Sequence, residues 1–581
     1  MTIRHDRRVF LRFLGAGLTG AAWHGAPLGP LAQPALEAAS QMPRGGRSPF
    51  ADFTRIDPST RDDLVLPEGF THDIIAMWGD RLPGTNTRFG YNADYTAFLP
   101  TAADGNEGVL VVNHEHLSMP EPGEVGVYLQ TFPLVMGRVA EIEDEMHDVG
   151  VSVLLIRRDA NRRWQIVPSP LTRRYDARSP MRASGPALQH VRDLRGTLSN
   201  CSGCHTPWRT VLTCEENIHY FVPPEADTAG RSRTGGRFRL DGSHYGWVVE
   251  LDPMDPGWMP VKHTMLGRFR HENVAIRADP GQPIAAYMGD DRINGHVYKF
   301  VSTGSFAPGA TDTRGSLLAN GRLYAAVFRA DGTGEWRELS GASPLRPNPQ
   351  SDMPPIPRGA KTLGQVYADV GAIMTDAYRA SNLIGATPTG RPEDVEVHPI
   401  DGTVYIAFTE NATARGNLFP NLYGEIWRIR EEEGAEGVRF TWIRWKAGGP
   451  NDASRRGHAF AAPDNLSFDP NGDLWVVCDI TTTRLNGDPR YTTFENNGMF
   501  FVPASGEDAG EPRQFASGPC ESELTGPSWT PNRDTLFLSV QHPGEGAGMR
   551  TPAMRAPRGS NWPAGRLNEP PRPAVVSIRR R

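Results

Sequence analysis

The feature that most limits how this chain can fold is a pair of short strand-like segments that returns six times along it. The first member of each pair opens on a polar or acidic residue, and a short turn follows. The second member is four or five apolar, alternating residues that stop abruptly at acids, Asn, Cys or His. Second members run over 108–112 into Asn113-His114-Glu115, 210–213 into Cys214-Glu215-Glu216, 284–288 into Asp290-Asp291, 404–408 into Glu410-Asn411, 474–477 into Cys478-Asp479, and 536–540 into Gln541-His542. First members open at Asn92, Asn200, His271, Arg391, Pro463 and Glu523. Turns such as Asp401-Gly402 and Asp469-Pro470-Asn471-Gly472 separate several pairs.

A β unit repeated at a long, irregular period reads as a propeller with one blade per pair. The expected fold is all-β: a six-bladed β-propeller with long inter-blade insertions and few short helices. The 62 Gly and 51 Pro residues agree with many turns and few long helices. A signal peptide is expected at 1–40 and a single propeller domain at 41–581. Inserted loops with a strand or two, at 322–328, are placed at about 300–365, a short helix at 366–381, and a Gly/Pro/Arg-rich tail at about 543–581 with a closing strand at 574–578. The alternative is a generic β protein whose strand ends are merely solvated.

With 38% hydrophobic and 22% charged residues among 581, the chain is no collagen, coiled coil or disordered polymer. A net charge of −6 gives no electrostatic case for nucleic acid as the main partner. The N-terminus reads Asp6-Arg7-Arg8-Val9-Phe10-Leu11, followed by a short, weakly apolar run to Trp23. Paired arginines before such a run make a twin-arginine signal. The run is too short to span a bilayer, so no stable membrane anchor is expected. The expected partner is the twin-arginine export machinery, which carries folded proteins, and the expected location is periplasmic or secreted. Cys201, Cys204, Cys214, Cys478 and Cys520 are an odd number, which leaves at least one outside any intramolecular disulfide.

Propeller geometry would bring the acids at the strand ends to one mouth of the central channel. They are Glu115, Glu215, Glu216, Glu272, Asp290, Asp291, Glu393, Asp394, Glu410, Asp464, Asp479 and Glu523. Carboxylates facing one cavity repel each other unless cations neutralise them. Carboxylate and Asn oxygens suit Ca²⁺, and nearby Cys and His suit a transition metal. The residues thus point to a multi-metal channel site. Arg391, at the start of an inner strand, could grip a phosphate bidentately beside the metals, or be an ordinary ion pair.

The stretch 200–217, Asn-Cys-Ser-Gly-Cys-His-Thr-Pro-Trp-Arg-Thr-Val-Leu-Thr-Cys-Glu-Glu-Asn, resembles a block of the PhoX-type alkaline phosphatases. Further matches are Gly267 to Glu272, Asn294 to Phe300, Arg391 to Asp394, Pro463 to Asp469, Glu523 to Pro527 and Gln541 to Glu545, in the same order from about residue 60 to 550. The resemblance implies a six-bladed propeller whose channel holds an iron–calcium cluster, Fe³⁺ and Ca²⁺, that removes phosphate from small-molecule phosphate esters. It implies that Cys201 is the iron-ligating thiolate and that Glu215, Glu216, Glu272, Glu393 and Glu523, with Asp464 or Asp479, hold the metals. It implies that Arg391 is the phosphate clamp, so that Arg391, Glu393 and Cys201 carry the catalysis. The chain departs from the family pattern at Cys204, Arg209 and Ser522. Cys201-Ser202-Gly203-Cys204-His205 is also a literal haem-attachment pattern, although haem is attached to unfolded chains and the signal is of the folded-protein type. The competing functions are a Ca-dependent lactonase-like hydrolase, which needs fewer acids and no phosphate-gripping arginine, and a non-catalytic Ca-binding propeller.

Overall fold

Each second member is continuously apolar because it lies inside a blade, covered on both faces. Val109, Leu110, Val111 and Val112 are fully buried, as are Leu536, Phe537 and Leu538. Polar residues return only where the strand leaves its sheet. The computed structural model describes residues 48–102, 104–117, 126–222, 238–309, 316–347, 352–409, 422–450, 460–550 and 559–581. The signal peptide expected at 1–40, and Glu410, lie outside the described residues.

The six pairs become the two innermost strands of six blades. Blade 1 contains Ala93–Pro100, Glu107–His114, Gly150–Arg158 and Trp164–Ile166. Blade 2 contains Asn200–His205, Val211–Glu215, Val248–Leu251 and Val261–His263, with Arg182–Ser184 added in parallel at the outer edge. Blade 3 contains His271–Arg277, Pro283–Asp290, Val297–Ser305, Gly321–Phe328 and Thr333–Glu338. Blade 4 contains Pro392–Val397, Val404–Phe408, Glu425–Glu431 and Arg439–Ala447. Blade 5 contains Pro463–Phe468, Leu474–Cys478, Gly498–Val502 and Arg513–Ser517. Blade 6 contains Glu523–Trp529, Thr535–Gln541, Ala574–Arg580 and Phe70–Met77. The innermost strands pack one against the next in chain order, and that of blade 6 returns to that of blade 1. The expected all-β propeller is therefore the fold observed. The ring is closed where Phe70–Met77 pairs antiparallel with Ala574–Arg580.

Blades 3 and 4 are fused. Thr333–Glu338 pairs with Arg439–Ala447, and the two blades share one nine-stranded sheet. Near this seam the buried Lys299 Nζ lies 2.5 Å from Glu431 Oε1, and Glu431 also accepts from Tyr287 Oη (2.7 Å) and Trp336 Nε1 (2.9 Å). A buried ion pair needs such extra donors to offset its desolvation. The strand expected at 322–328 is present as Gly321–Phe328, but its placement in an inter-blade insertion at about 300–365 is corrected. The chain up to Ser305 and from Gly321 to Glu338 belongs to blade 3 itself. The true inter-blade connection comes later and carries two short helices, Val370–Thr375 and Ala377–Leu383, where one helix was expected at 366–381. Asp376 separates them in a non-helical conformation. No helix among the described residues is long and apolar enough to cross a membrane.

Candidate metal centre

The channel side chains come from two repeated departures from regular backbone. Asn92, Ser199, Arg391, Ala462 and Glu521 all have φ between 47° and 54°, in the left-handed region. Non-glycine residues occupy that region at a cost of about 1–2 kcal/mol, and such strain gathers at functional sites. Two residues after each of them stand Asp94, Cys201, Glu393, Asp464 and Glu523. Blade 3 reaches the same place with Glu272 and no left-handed residue directly before it. A β-bulge then follows. The inner strands advance three residues against two on their partners between Ala93 and Thr96, Asn200 and Gly203, His271 and Val274, Pro392 and Val395, and Pro463 and Leu466. A bulge inserts one unpaired residue and re-aims its neighbours. Here it breaks strict alternation at Asp94, Cys201, Glu272, Glu393 and Asp464. In blade 6 the bulge falls later, between Thr525 and Ser528.

A second tier comes from the residue just beyond each second strand: Glu115, Glu216, Asp291, Thr409 and Asp479, with Gln541 and His542 in blade 6. Side chains alternate along a strand, so the residue one step earlier turns away from the channel. This corrects the expectation for Glu215. Glu215 is paired with Asn200 in the ladder and is fully buried in its blade. Its Oε1 lies 2.6 Å from Lys262 Nζ, and its Oε2 accepts from the backbone N–H of Gly246 (2.8 Å) and Trp247 (3.0 Å). It belongs to a buried ion pair rather than to the channel. Glu215→Gln is expected to destabilise the protein by about 3 kcal/mol, because Lys262 would be left uncompensated, with unchanged metal per folded molecule. Urea titration and elemental analysis of the variant would test this, and a lost metal ion would return Glu215 to the centre.

Asp290 and Asp394, also expected at the channel mouth, do not line the cavity: Asp290 Oδ1 accepts from Arg292 Nε (2.9 Å) and Asp394 Oδ2 from the backbone N–H of Leu466 (2.8 Å). The other expected residues among those described converge. Donor atoms of Asp94, Glu115 and Cys201 lie within 4.8 Å of one another, and so do those of Glu272, Glu393 and Asp464. The Cys201 thiol links the two groups, 3.6 Å from Glu272 Oε1. Amides frame the acids: Gln541 Nε2 donates to Asp94 (3.1 Å) and Glu115 (2.9 Å), and Asn465 Nδ2 donates to Glu272 (3.1 Å). Thr409 Oγ1 donates to Glu393 at 2.6 Å. Glu216, Asp479 and Glu523 line the same cavity, with His542 Nε2 3.3 Å from Glu523. Arg391 also lines it. Its Nε and Nη2 each lie 2.9 Å from an oxygen of Asp291, Nη2 lies 2.9 Å from Glu393, and Nη1 lies 3.6 Å from Asp479.

The electrostatics of this cavity call for cations. Burial, and then the neighbouring carboxylates, push Asp94, Glu216, Glu272 and Glu523 well above the usual carboxylate range. The same causes take Asp464 to about 7 and raise the Cys201 thiol. Burial also raises Glu393, against the pull of Arg391. Asp291 is the exception: burial would raise it, but the Arg391 guanidinium outweighs burial and lowers it. Buried Glu272 Oε2 has no hydrogen-bond donor among the described residues. Converging oxygens, one sulfur and an acceptor without a donor fit metal ions, the oxygens suiting Ca²⁺ and the thiolate suiting a transition metal.

Asp94, Thr409 and the supporting role of Gln541 were not among the expected site residues, and Asp291 was expected at the channel mouth but not as the partner of Arg391. Asp94 is the second residue of its inner strand, as Cys201, Glu393 and Asp464 are of theirs, a shared position that the strand boundaries reveal. The haem pattern is broken by the fold. Cys201 faces the channel, whereas Cys204 lies opposite Leu212 and packs with Cys214 in the core between blades. Cys520 is also away from the centre, its Sγ 3.4 Å from the carbonyl oxygen of Thr60.

The sequence matches the family profile of alkaline phosphatase PhoX over residues 51–544. Among solved structures, Pseudomonas fluorescens PhoX in complex with vanadate, a transition state analogue, superposes with a TM-score of 0.76 at 29% identity, over 91% of this chain and 98% of that one. A protein of unknown function from Dyadobacter fermentans superposes at TM-score 0.36 and 8% identity, over 88% of this chain and 100% of its own. A gluconolactonase from Xanthomonas campestris gives 0.26 and 9%, over 85% and 98%. Scores that low carry no argument about function. No curated sequence matches the chain.

Proposed function

The chain belongs to the PhoX alkaline phosphatase family, and from that premise we propose that it is an exported phosphatase that hydrolyses small-molecule phosphate esters with iron and calcium ions held in the propeller channel. The observation that carries this reading is the pair of three-donor groups, Asp94–Glu115–Cys201 and Glu272–Glu393–Asp464, lying beside Arg391 in one cavity. Cys201 is the donor suited to iron, and the carboxylates are suited to calcium. Glu216, Asp479 and Glu523 complete the donor set. When bound, such ions supply Lewis acidity toward phosphoryl oxygens and lower the pKa of water that they bind.

The protein's own groups do the rest. Arg391 grips phosphate oxygens through N–H groups that Asp291 leaves unused, and the bidentate pair with Asp291 fixes the plane of its guanidinium. Thr409 orients Glu393. Gln541 and Asn465 hold carboxylates whose mutual repulsion would otherwise splay them. The twin-arginine motif at Arg7-Arg8 supports export of the folded protein to the periplasm or beyond. Protein expressed with its own N-terminus is expected to contain iron and calcium by elemental analysis. It is also expected to hydrolyse a chromogenic phosphate monoester in a chelator-sensitive way. Calcium alone, with no turnover, would overturn the reading in favour of a lactonase-like or binding propeller.

A further inference from the structure

The cavity above the metal centre is about 840 Å³. That is within the range of pockets that enclose whole drug-sized ligands and leaves room for a substantial group on the far side of the phosphorus. We propose that Tyr220 is a stacking platform for this group, so that the protein takes phosphate esters whose alcohol carries a planar aromatic ring, nucleoside monophosphates among them, in preference to esters without one. The inference rests on the phosphatase reading and adds a substrate class to it.

The metal tier itself positions the platform. Tyr220 ends the single turn Ile218–Tyr220, which begins after Asn217. Asn217 follows Glu216, and its Nδ2 donates to Glu115 Oε1 at 3.3 Å. His116 follows Glu115 directly. The two neighbouring acids of the second tier thus each lead into a ring on the cavity wall. Tyr220 is half-buried and lines the cavity. Its ring is fixed by His219, 4.2 Å away and tilted by 36°, and by His116, 4.9 Å away at 78°. A half-buried tyrosine held against two other rings loses little side-chain freedom when a further ring docks on it. Tyr91 also lines the cavity but is only 1% exposed, so it offers no such surface. The cavity lining also includes Thr481, Thr482 and Thr483, whose neutral hydroxyls suit sugar hydroxyls. Aliphatic esters such as glycerol phosphate have no π face to use this platform.

The test compares Tyr220→Leu, which keeps apolar bulk, with Tyr220→Phe, which keeps the ring. The readout is the KM for adenosine monophosphate divided by that for glycerol phosphate. This ratio is expected to rise about tenfold in Tyr220→Leu and to stay within about twofold of the wild type in Tyr220→Phe. A ratio unmoved in Tyr220→Leu, or moved equally in Tyr220→Phe, would overturn the platform. Wild-type protein that hydrolyses neither ester would overturn the phosphatase reading separately. Calorimetric Kd values for the same two esters would then decide the platform by the same ratio.

Discussion

Arg391→Ala is expected to lower kcat/KM for a phosphate monoester by about a thousandfold and to weaken inhibition by inorganic phosphate. Arg391 is the one arginine among the described residues that line the cavity, and its side chain is 22% exposed, so a ligand can reach it. Burial would favour its neutral form, but Asp291, Glu393 and Asp479 keep it charged. Its two hydrogen bonds to Asp291 fix one edge of the fork, while Nη1, 3.6 Å from Asp479, is the nitrogen least engaged by the protein. Arg391→Lys should recover only a small part of the loss, because an ammonium is a point charge that cannot repeat the bidentate geometry. Steady-state kinetics with phosphate as a competitive inhibitor checks this. A change of less than tenfold in Arg391→Ala would show that the guanidinium merely neutralises the three acids around it.

Removing the metals should reverse the usual preference of an acidic protein for neutral pH. Asp464 has a folded value of about 7, above the ordinary carboxylate value that it has when unfolded. Its contribution to stability is fully present below about pH 4 and is lost as pH rises through 7. Between pH 5 and pH 8 this single group accounts for roughly 2–3 kcal/mol in the metal-free protein. Asp94, Glu216, Glu272, Glu393 and Glu523 shift in the same direction and add to it. Chelator-treated protein should therefore unfold at markedly lower urea concentration at pH 8 than at pH 5, and added Ca²⁺ should restore it at pH 8. Equal midpoints at the two pH values would mean that the carboxylates are not held together without metal.

The six strand pairs were legible because each joins two unlike tasks in adjacent residues: an apolar run that must be buried and a polar end that must leave the sheet. The convergence of Cys201, Glu216, Glu272, Glu393, Asp464, Asp479, Glu523 and Arg391 on one cavity follows from that pattern. Glu215 shows where the pattern runs out. It and Glu216 are identical side chains at successive positions, and only the register with Asn200 decides which one faces the channel. Lys262, the partner that occupies Glu215, lies 47 residues away, beyond any local signal. The seam between blades 3 and 4 was hidden for a similar reason. Pairing of Thr333–Glu338 with Arg439–Ala447 joins segments about a hundred residues apart, so the strands leading to it read as an insertion.

Blade 6 is sewn from the two ends of the propeller, residues 70–77 and 574–580. Its innermost strand carries Glu523 and lies against the strand that carries Asp94. The six-membered ring of channel donors is therefore not whole until residue 580 has been synthesised and has found a partner made some five hundred residues earlier. Until that pairing forms, blade 6 lacks its fourth strand. A molecule that holds every ion of the proposed centre would be one in which residues 70–77 and 574–580 have already paired.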